Sequence, residues 1–380
     1  MMIKKITLAI ILLISMSITA QKSPKVDLDR FYFSVLHQIL PSQNVPFENR
    51  TYTTNITLSN SVYDNYPDDE QIKGRLYIKG WKNVTENPTV TMNYTVSEFS
   101  LKSSNIVTRL VEEKDKAGKV IKSYNMYSAV AQFYGNGNVK ISGPVSTTQV
   151  EPKKVEAVAK ETNRFLQNKV AKTEEVAAIG SNYTNSLAVN LEYKSGESEN
   201  YKEIEKNYNL NKNEIFNQKL REFIDGSINS ANYAVNKLYG FEQLLVSEKV
   251  WIMDAKDDEG VAQKEAITAV KVIFNEIQAD KPIDDAIANL QPLVEYFESL
   301  KTKYPDDNKG SKKIRYSAYY NLGKIYLFTD QPEKAIKEGE GIIANDYDKS
   351  DGKDIIKEAE ELIKIFTKTG FTSRHNPTLN

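Results

Sequence analysis

Cysteine is absent from this 380-residue chain, and histidine and tryptophan each occur only twice. Without a thiol there is no disulfide, no thiolate nucleophile and no sulfur-ligated metal, and no diacylated lipoprotein anchor. The two histidines, His37 and His375, stand near opposite ends, so a histidine-based triad or zinc site would have to use these alone. No G-x-x-x-x-G-K-[ST], no G-x-G-x-x-G after a strand, no H-E-x-x-H and no G-x-S-x-G occurs. Net charge is also lacking: 50 basic and 51 acidic residues give -1, with the signs intermixed. That is not the surface of a nucleic-acid or anionic-membrane binder. No cofactor, metal or enzymatic activity is expected. The carboxylates of Asp68-Asp69-Glu70, Asp257-Asp258-Glu259 and Asp306-Asp307 sit beside Pro, Gly or Asn and read as solvated loops. Asp346 to Gly352 superficially resembles a calcium loop, but its Gly is one place late and Lys357 stands where a bidentate Glu belongs. It reads as a turn that caps the next helix.

Long apolar runs are missing too, with one exception. Lys4-Lys5 is followed by Ile6 to Ile18, broken only by small or hydroxyl residues, and then by Thr19-Ala20 before Gln21. The run is too short to span a bilayer and has the layout of a secretory leader over 1–20, with cleavage expected after Ala20. The mean hydropathy is -0.51. The chain is therefore expected to be exported, periplasmic or associated with the outer membrane through a partner, with no direct membrane insertion.

What is present falls into two periods. Tyr52, Thr54, Ile56 and Leu58, and again Val90, Met92, Tyr94 and Val96, alternate with polar neighbours, as half-buried strands do. Asp115-Lys116-Ala117-Gly118 separates two further runs, and Asn136-Gly137 is placed for a tight hairpin turn. Helical spacing from Val155 to Val170 predicts one excursion, about 152–178, before Leu187 to Tyr193 return to alternation. The polar stretch Lys194 to Asn200 reads as a linker. Beyond it the spacing is helical: Ile215, Phe216, Leu220, Phe223 and Ile224 form one stripe, and Ile228 through Leu238, Phe241 and Leu245 another. The expected class is α+β: an N-terminal antiparallel, sandwich-like β domain over 21–200, then an all-α domain over 201–380.

Within the second domain, Tyr319-x2-Leu322-Gly323-x2-Tyr326 followed by Ala335, with Asp330-Gln331-Pro332 between, resembles a tetratricopeptide repeat. Gly339, Ile342 and Tyr347 depart from that family's pattern. An upstream echo, Asp280 to Ile287, places Ala286 where Ala335 stands in the later copy. Ile355, Ile356, Ala359, Leu362, Ile363 and Phe366, closed by Gly370, look like a capping helix. The resemblance implies stacked helix pairs with a concave face lined by first helices. On that face Arg315, Tyr316, Tyr320 and Lys324 are the expected partner-binding residues, while Tyr319, Leu322, Gly323, Tyr326, Ala335 and Ala286 pack the repeats.

The function expected is that of a bacterial scaffold or adaptor holding a protein partner in an envelope assembly or secretion complex. The alternative is carbohydrate capture, since glycan-binding proteins of some outer membranes also use tetratricopeptide-like helices. Trp81 would locate such a platform, although its place on an alternating run favours a core role.

Overall fold

The structure, a computed structural model, describes residues 26–66, 69–144, 182–254 and 256–379. The expected leader over 1–20 and the expected helix over about 152–178 lie outside them. Among the described residues helix accounts for 47% and strand for 30%, a mixed α+β class. In chain order the first elements are β1 (Leu28–Ile39), β2 (Thr51–Leu58), α1 (Asn60–Tyr63), α2 (Asp69–Arg75), β3 (Lys82–Asn83), β4 (Val90–Lys114), β5 (Val120–Ser142), β6 (Asn182–Ser186) and β7 (Val189–Lys194). There follow α3 (Tyr201–Tyr239), β8 (Glu242–Met253), α4 (Asp258–Glu276), α5 (Asp284–Lys303), α6 (Lys309–Phe328), α7 (Pro332–Asn345) and α8 (Lys349–Thr369). They form two compact units, one of 45–240 and one of 26–44 with Phe241–Thr378. The division expected near residue 200 therefore falls elsewhere: α3 belongs with the sheet, and β1 belongs with the helices.

In the first unit the strand order is β3-β2-β4-β5-β6, with β7 also paired to β5. β2 and β4 run parallel, from Tyr52↔Val90 to Leu58↔Val96, while β4, β5, β6 and β7 pair antiparallel. The expectation of an all-antiparallel sandwich is corrected on both counts, because among the described residues the layer against this sheet is a helix. Val90, Met92, Tyr94 and Val96 are fully buried, the alternation that one covered face requires. Phe99 stacks on Phe133 and Phe223 at 5.9 and 5.7 Å and meets Phe216 edge-on at 5.1 Å. The Tyr94 hydroxyl bonds to the Ser227 hydroxyl. Helix α3 starts where the Asn200 side chain accepts from the Lys202 and Glu203 amides, a polar N-cap. Trp81 is core: its indole N–H donates to the Tyr239 carbonyl at 2.8 Å and its ring meets Tyr239 edge-on.

Two turn predictions divide here. Asp115 to Gly118 is the turn between β4 and β5, with Gly118 at φ 82° and Asp115 Oδ1 accepting from the Ala117 and Lys119 amides. Asn136-Gly137 is not a turn: β5 runs straight through it. The register shifts opposite, between Val96 and Glu98, and a methyl on Gly137 would lie 2.3 Å from the Thr95 carbonyl oxygen. The glycine permits a close backbone approach at a bulge.

In the second unit β1 and β8 form an antiparallel ribbon, paired from Leu28↔Met253 to Ile39↔Glu242. This corrects the all-helical expectation, under which Leu245 sat on a helix stripe. The ribbon packs on α4 and α6, and the five helices pack successively. Phe33 meets Phe274 of α4 at 5.0 Å. Asp257, Asn308 and Asp348 cap α4, α6 and α8 through their side chains, and Pro332 opens α7. The helix expected over Ile355 to Phe366 forms, as part of α8, and ends at Gly370, φ 73°. No helix among the described residues is long and apolar enough to cross a membrane.

Candidate interaction surface

Helix α6 carries most of the residues singled out by sequence, on two faces. Tyr319, Leu322, Gly323 and Tyr326 turn toward the neighbouring helices. A methyl on Gly323 would lie 2.9 Å from Ile355 Cδ1 and 3.5 Å from Glu338 Cβ, so the close approach at Gly323 is with α8 and α7. Lys301 of α5 lies over the Tyr319 ring at 4.6 Å. Ala335 is fully buried, and Ala286 packs half-buried against the same core. These six are packing residues.

The other face is occupied as well, and this corrects the expected concave binding face. Tyr316, Tyr320 and Lys324 are buried because the ribbon lies over them. Trp251 of β8 meets the Tyr316 and Tyr320 rings at 6.1 and 6.0 Å. Lys324 Nζ sits 3.3 Å from Glu248 Oε2 of β8 and 2.9 Å from Glu358 Oε2 of α8. The Tyr316 hydroxyl donates to Asp351 of α8. Arg315 is half-buried and holds the α5–α6 loop, with NH1 donating to the Tyr304 and Asp306 carbonyls and Nε to Asn345 Oδ1 at 2.9 Å.

Asn321 explains how a two-stranded ribbon, marginal by itself, is held there. Its Oδ1 accepts from the Trp251 amide at 2.7 Å and its Nδ2 donates to the Trp251 carbonyl at 2.8 Å. One side-chain amide thus satisfies the outer edge of β8 as a third strand would. Gln263 of α4 extends the bracket, accepting from the Met253 amide and donating to Ser317 Oγ at 3.0 Å.

The titratable groups between the helices pair with one another. Glu259 of α4 accepts from the Tyr296 and Tyr304 hydroxyls, both at 2.8 Å, and from Lys303. Burial and then the Glu259 charge push both phenols up. Glu338 of α7 is pushed up to about 7 by burial, opposed by Lys301 at 2.7 Å. Among the described residues no group of three or more His, Cys, Asp or Glu is arranged to hold a metal ion.

What remains open is the far half of the β4–β5 hairpin. Strand β2 leaves β4 at Val96. On β5, β7 covers 130–135, with one further bridge at Tyr127↔Ser198. Arg109 is tied to Glu197, and Tyr127 packs edge-on against Tyr201 at 5.6 Å. Beyond these, Leu110 to the turn at Asp115 and back to Tyr124 pair only with each other, an arm of about 17 Å at the usual strand rise. Both its edges are free among the described residues. Leu110 is 59% exposed and Ile121 64%, the latter beside the register shift at Glu113/Lys114. Sequence reading placed strands here but not their exposure; the signal was apolar residues close to a turn with no opposing apolar stripe to bury them. No family model, curated protein or solved structure matches the chain.

Proposed function

We propose that the chain is a non-enzymatic, exported scaffold that holds a protein partner, in a bacterial envelope assembly or secretion complex, and that the β4–β5 arm is the contact element. The observation that carries this reading is the pair Leu110 and Ile121, large exposed apolar side chains on a ribbon whose edges no other strand among the described residues covers. Exposed apolar surface on an element that cannot bury it internally marks interaction sites, and free strand edges accept partner strands. On this reading α5 to α8 form a tetratricopeptide-like stack whose concave face receives the chain's own ribbon, leaving the arm for the partner.

The test is site-specific photo-crosslinking in cells that make the protein. A crosslinker at position 110 is expected to give one discrete adduct, and one at Tyr233, which is 72% exposed on α3, none. The paired variant Leu110→Lys with Ile121→Lys is expected to keep the melting temperature and lose the adduct. A monomeric chain with no adduct at position 110, or an adduct that survives the paired variant, overturns the reading.

A further inference from the structure

We propose that the segment Phe371–Pro377 is a strap on the outer edge of β1, closed by a His375 ring that donates from both nitrogens and loosened when that ring loses its second proton. The strap is anchored on one carboxylate. Asp330, in the loop after α6 and held at a left-handed φ of 59°, accepts from Ser373 Oγ at 2.8 Å, from the Arg374 amide at 2.6 Å and from Arg374 Nε at 2.7 Å. Arg374 NH2 also donates to the Leu327 carbonyl. From this anchor the segment runs along β1: the Gln38 amide donates to the Arg374 carbonyl at 2.9 Å. The Gln38 side chain accepts from the Asn376 amide and donates to its carbonyl.

His375 sits between the two attachments. Its Nδ1 is 3.2 Å from Asp330 Oδ2 and its Nε2 is 3.1 Å from the Leu36 carbonyl oxygen, and both oxygens only accept. A neutral imidazole carries one N–H and one lone pair, so either tautomer turns a lone pair toward an oxygen. The side chain is 0% exposed, so water does not mediate. Only the imidazolium, singly charged and with N–H on both nitrogens, satisfies both contacts.

The surrounding charges are consistent with that form. Asp330 from the loop is ionised: burial opposes this, but hydrogen bonds from His375 and Arg374 and the Arg374 charge outweigh it and hold the carboxyl down to about 2. His37 of β1 is the other titratable group facing the ring. Burial first, then the charges of Arg374 and His375, hold it down to about 4, so it is neutral above that value. The strap is therefore complete on the acid side and loses one attachment as pH rises. Because Leu36 and Gln38 use their outward backbone groups on the strap, the period of two turns those of Arg30, Tyr32 and Ser34 outward too, and these have no partner among the described residues. Release leaves an uninterrupted free edge from Arg30 to Gln38.

Hydrogen exchange of the full chain, read residue by residue at pH 5.5 and 8 and corrected for intrinsic rates, tests this. Protection at the Gln38 and Arg374 amides is expected to fall about tenfold between the two conditions, the order set by losing one buried hydrogen bond, while buried sheet amides such as Tyr94 hold steady. In His375→Gln, an amide with one donor and one acceptor end, the Gln38 amide is expected to be weakly protected at both pH values, with an unchanged far-ultraviolet spectrum confirming the fold. Equal protection at pH 5.5 and 8 in the native chain overturns the proposal. So does a tenfold fall that persists in His375→Gln, which would assign the dependence to His37 or to the fold at large.

Discussion

Two glycines in the last helix pair give the sharpest test of the packing. Gly339 of α7 departs from the repeat pattern and weakens a helix interior, yet it lets the backbones of α7 and α8 approach closely at Gly352. A methyl on Gly339 would lie 2.6 Å from Ile356 Cγ1 and 2.8 Å from the Gly352 carbonyl oxygen; one on Gly352 would lie 2.6 Å from the Gly339 carbonyl oxygen and 2.9 Å from Ile343 Cγ1. Substituting alanine removes a glycine penalty of about 1 kcal/mol in a helix. Against that stands overpacking, typically about 1 to 3 kcal/mol. Because a backbone carbonyl is the obstacle, it does not rotate aside and the helices must separate, which favours the upper part of that range. Gly339→Ala and Gly352→Ala should each destabilise by a net of about 1 to 2 kcal/mol. The control is Gly226→Ala in α3, where a methyl meets nothing within 4 Å; there only the propensity gain remains, about 0.5 to 1 kcal/mol.

Calorimetry resolves this, since 1 kcal/mol shifts the melting temperature of a unit this size by about 2 to 4 °C. The expected signs are opposite: up for Gly226→Ala, down for the other two. The double variant should cost less than the sum, because separating the helices once relieves both clashes. If Gly339→Ala and Gly352→Ala stabilise as Gly226→Ala does, the helix crossing is wrong.

Two further outcomes follow from buried charges. Lys324→Glu, which an open groove would tolerate, should instead destabilise by about 3 kcal/mol or more in urea unfolding, because it sets a third carboxylate between Glu248 and Glu358. Glu338 keeps its proton up to about 7 in the folded chain but releases it near the ordinary glutamate value when unfolded, so its contribution to stability falls as pH rises from about 4.5 to 7. In Glu338→Gln this component should vanish; the urea midpoint difference between variant and native chain at pH 5 and at pH 7.5 reads it directly, and an unchanged difference refutes the assignment.

The parts legible in the sequence are those whose burial is decided locally. The alternation at Val90 to Val96 reports a strand with one covered face, Asp115 to Gly118 a turn, and Ile355 to Phe366 a helix with one apolar stripe. Each pattern says that a face is covered and is silent on what covers it. For this reason α3 was legible as a helix but not as the cover of the sheet, and Tyr316, Tyr320 and Lys324 as a stripe but not as the seat of a ribbon. The ribbon's strands lie far apart in the chain, and Phe241 and Leu245, four residues apart, satisfy helical spacing as readily as their places around β8. Asn136-Gly137 shows the same ambiguity, since a positive-φ turn and a close backbone approach both select glycine.

The ribbon also bears on where the proposed partner would attach. A partner entering the face of α6 would have to lift β1 and β8 from it, exposing Phe33, Val35 and Val250, all buried. At about 1.5 to 3 kcal/mol for each large side chain, these three alone cost about 5 to 9 kcal/mol. The Asn321 and Gln263 bonds to the β8 edge add to that. A micromolar complex has about 8 kcal/mol in total, so displacement would consume the whole of it. Leu110 and Ile121 cost nothing to uncover, because they are already in water; every square ångström they bury against a partner is gain. With the face of α6 occupied by the chain's own ribbon, the proposed partner contact therefore falls on the arm.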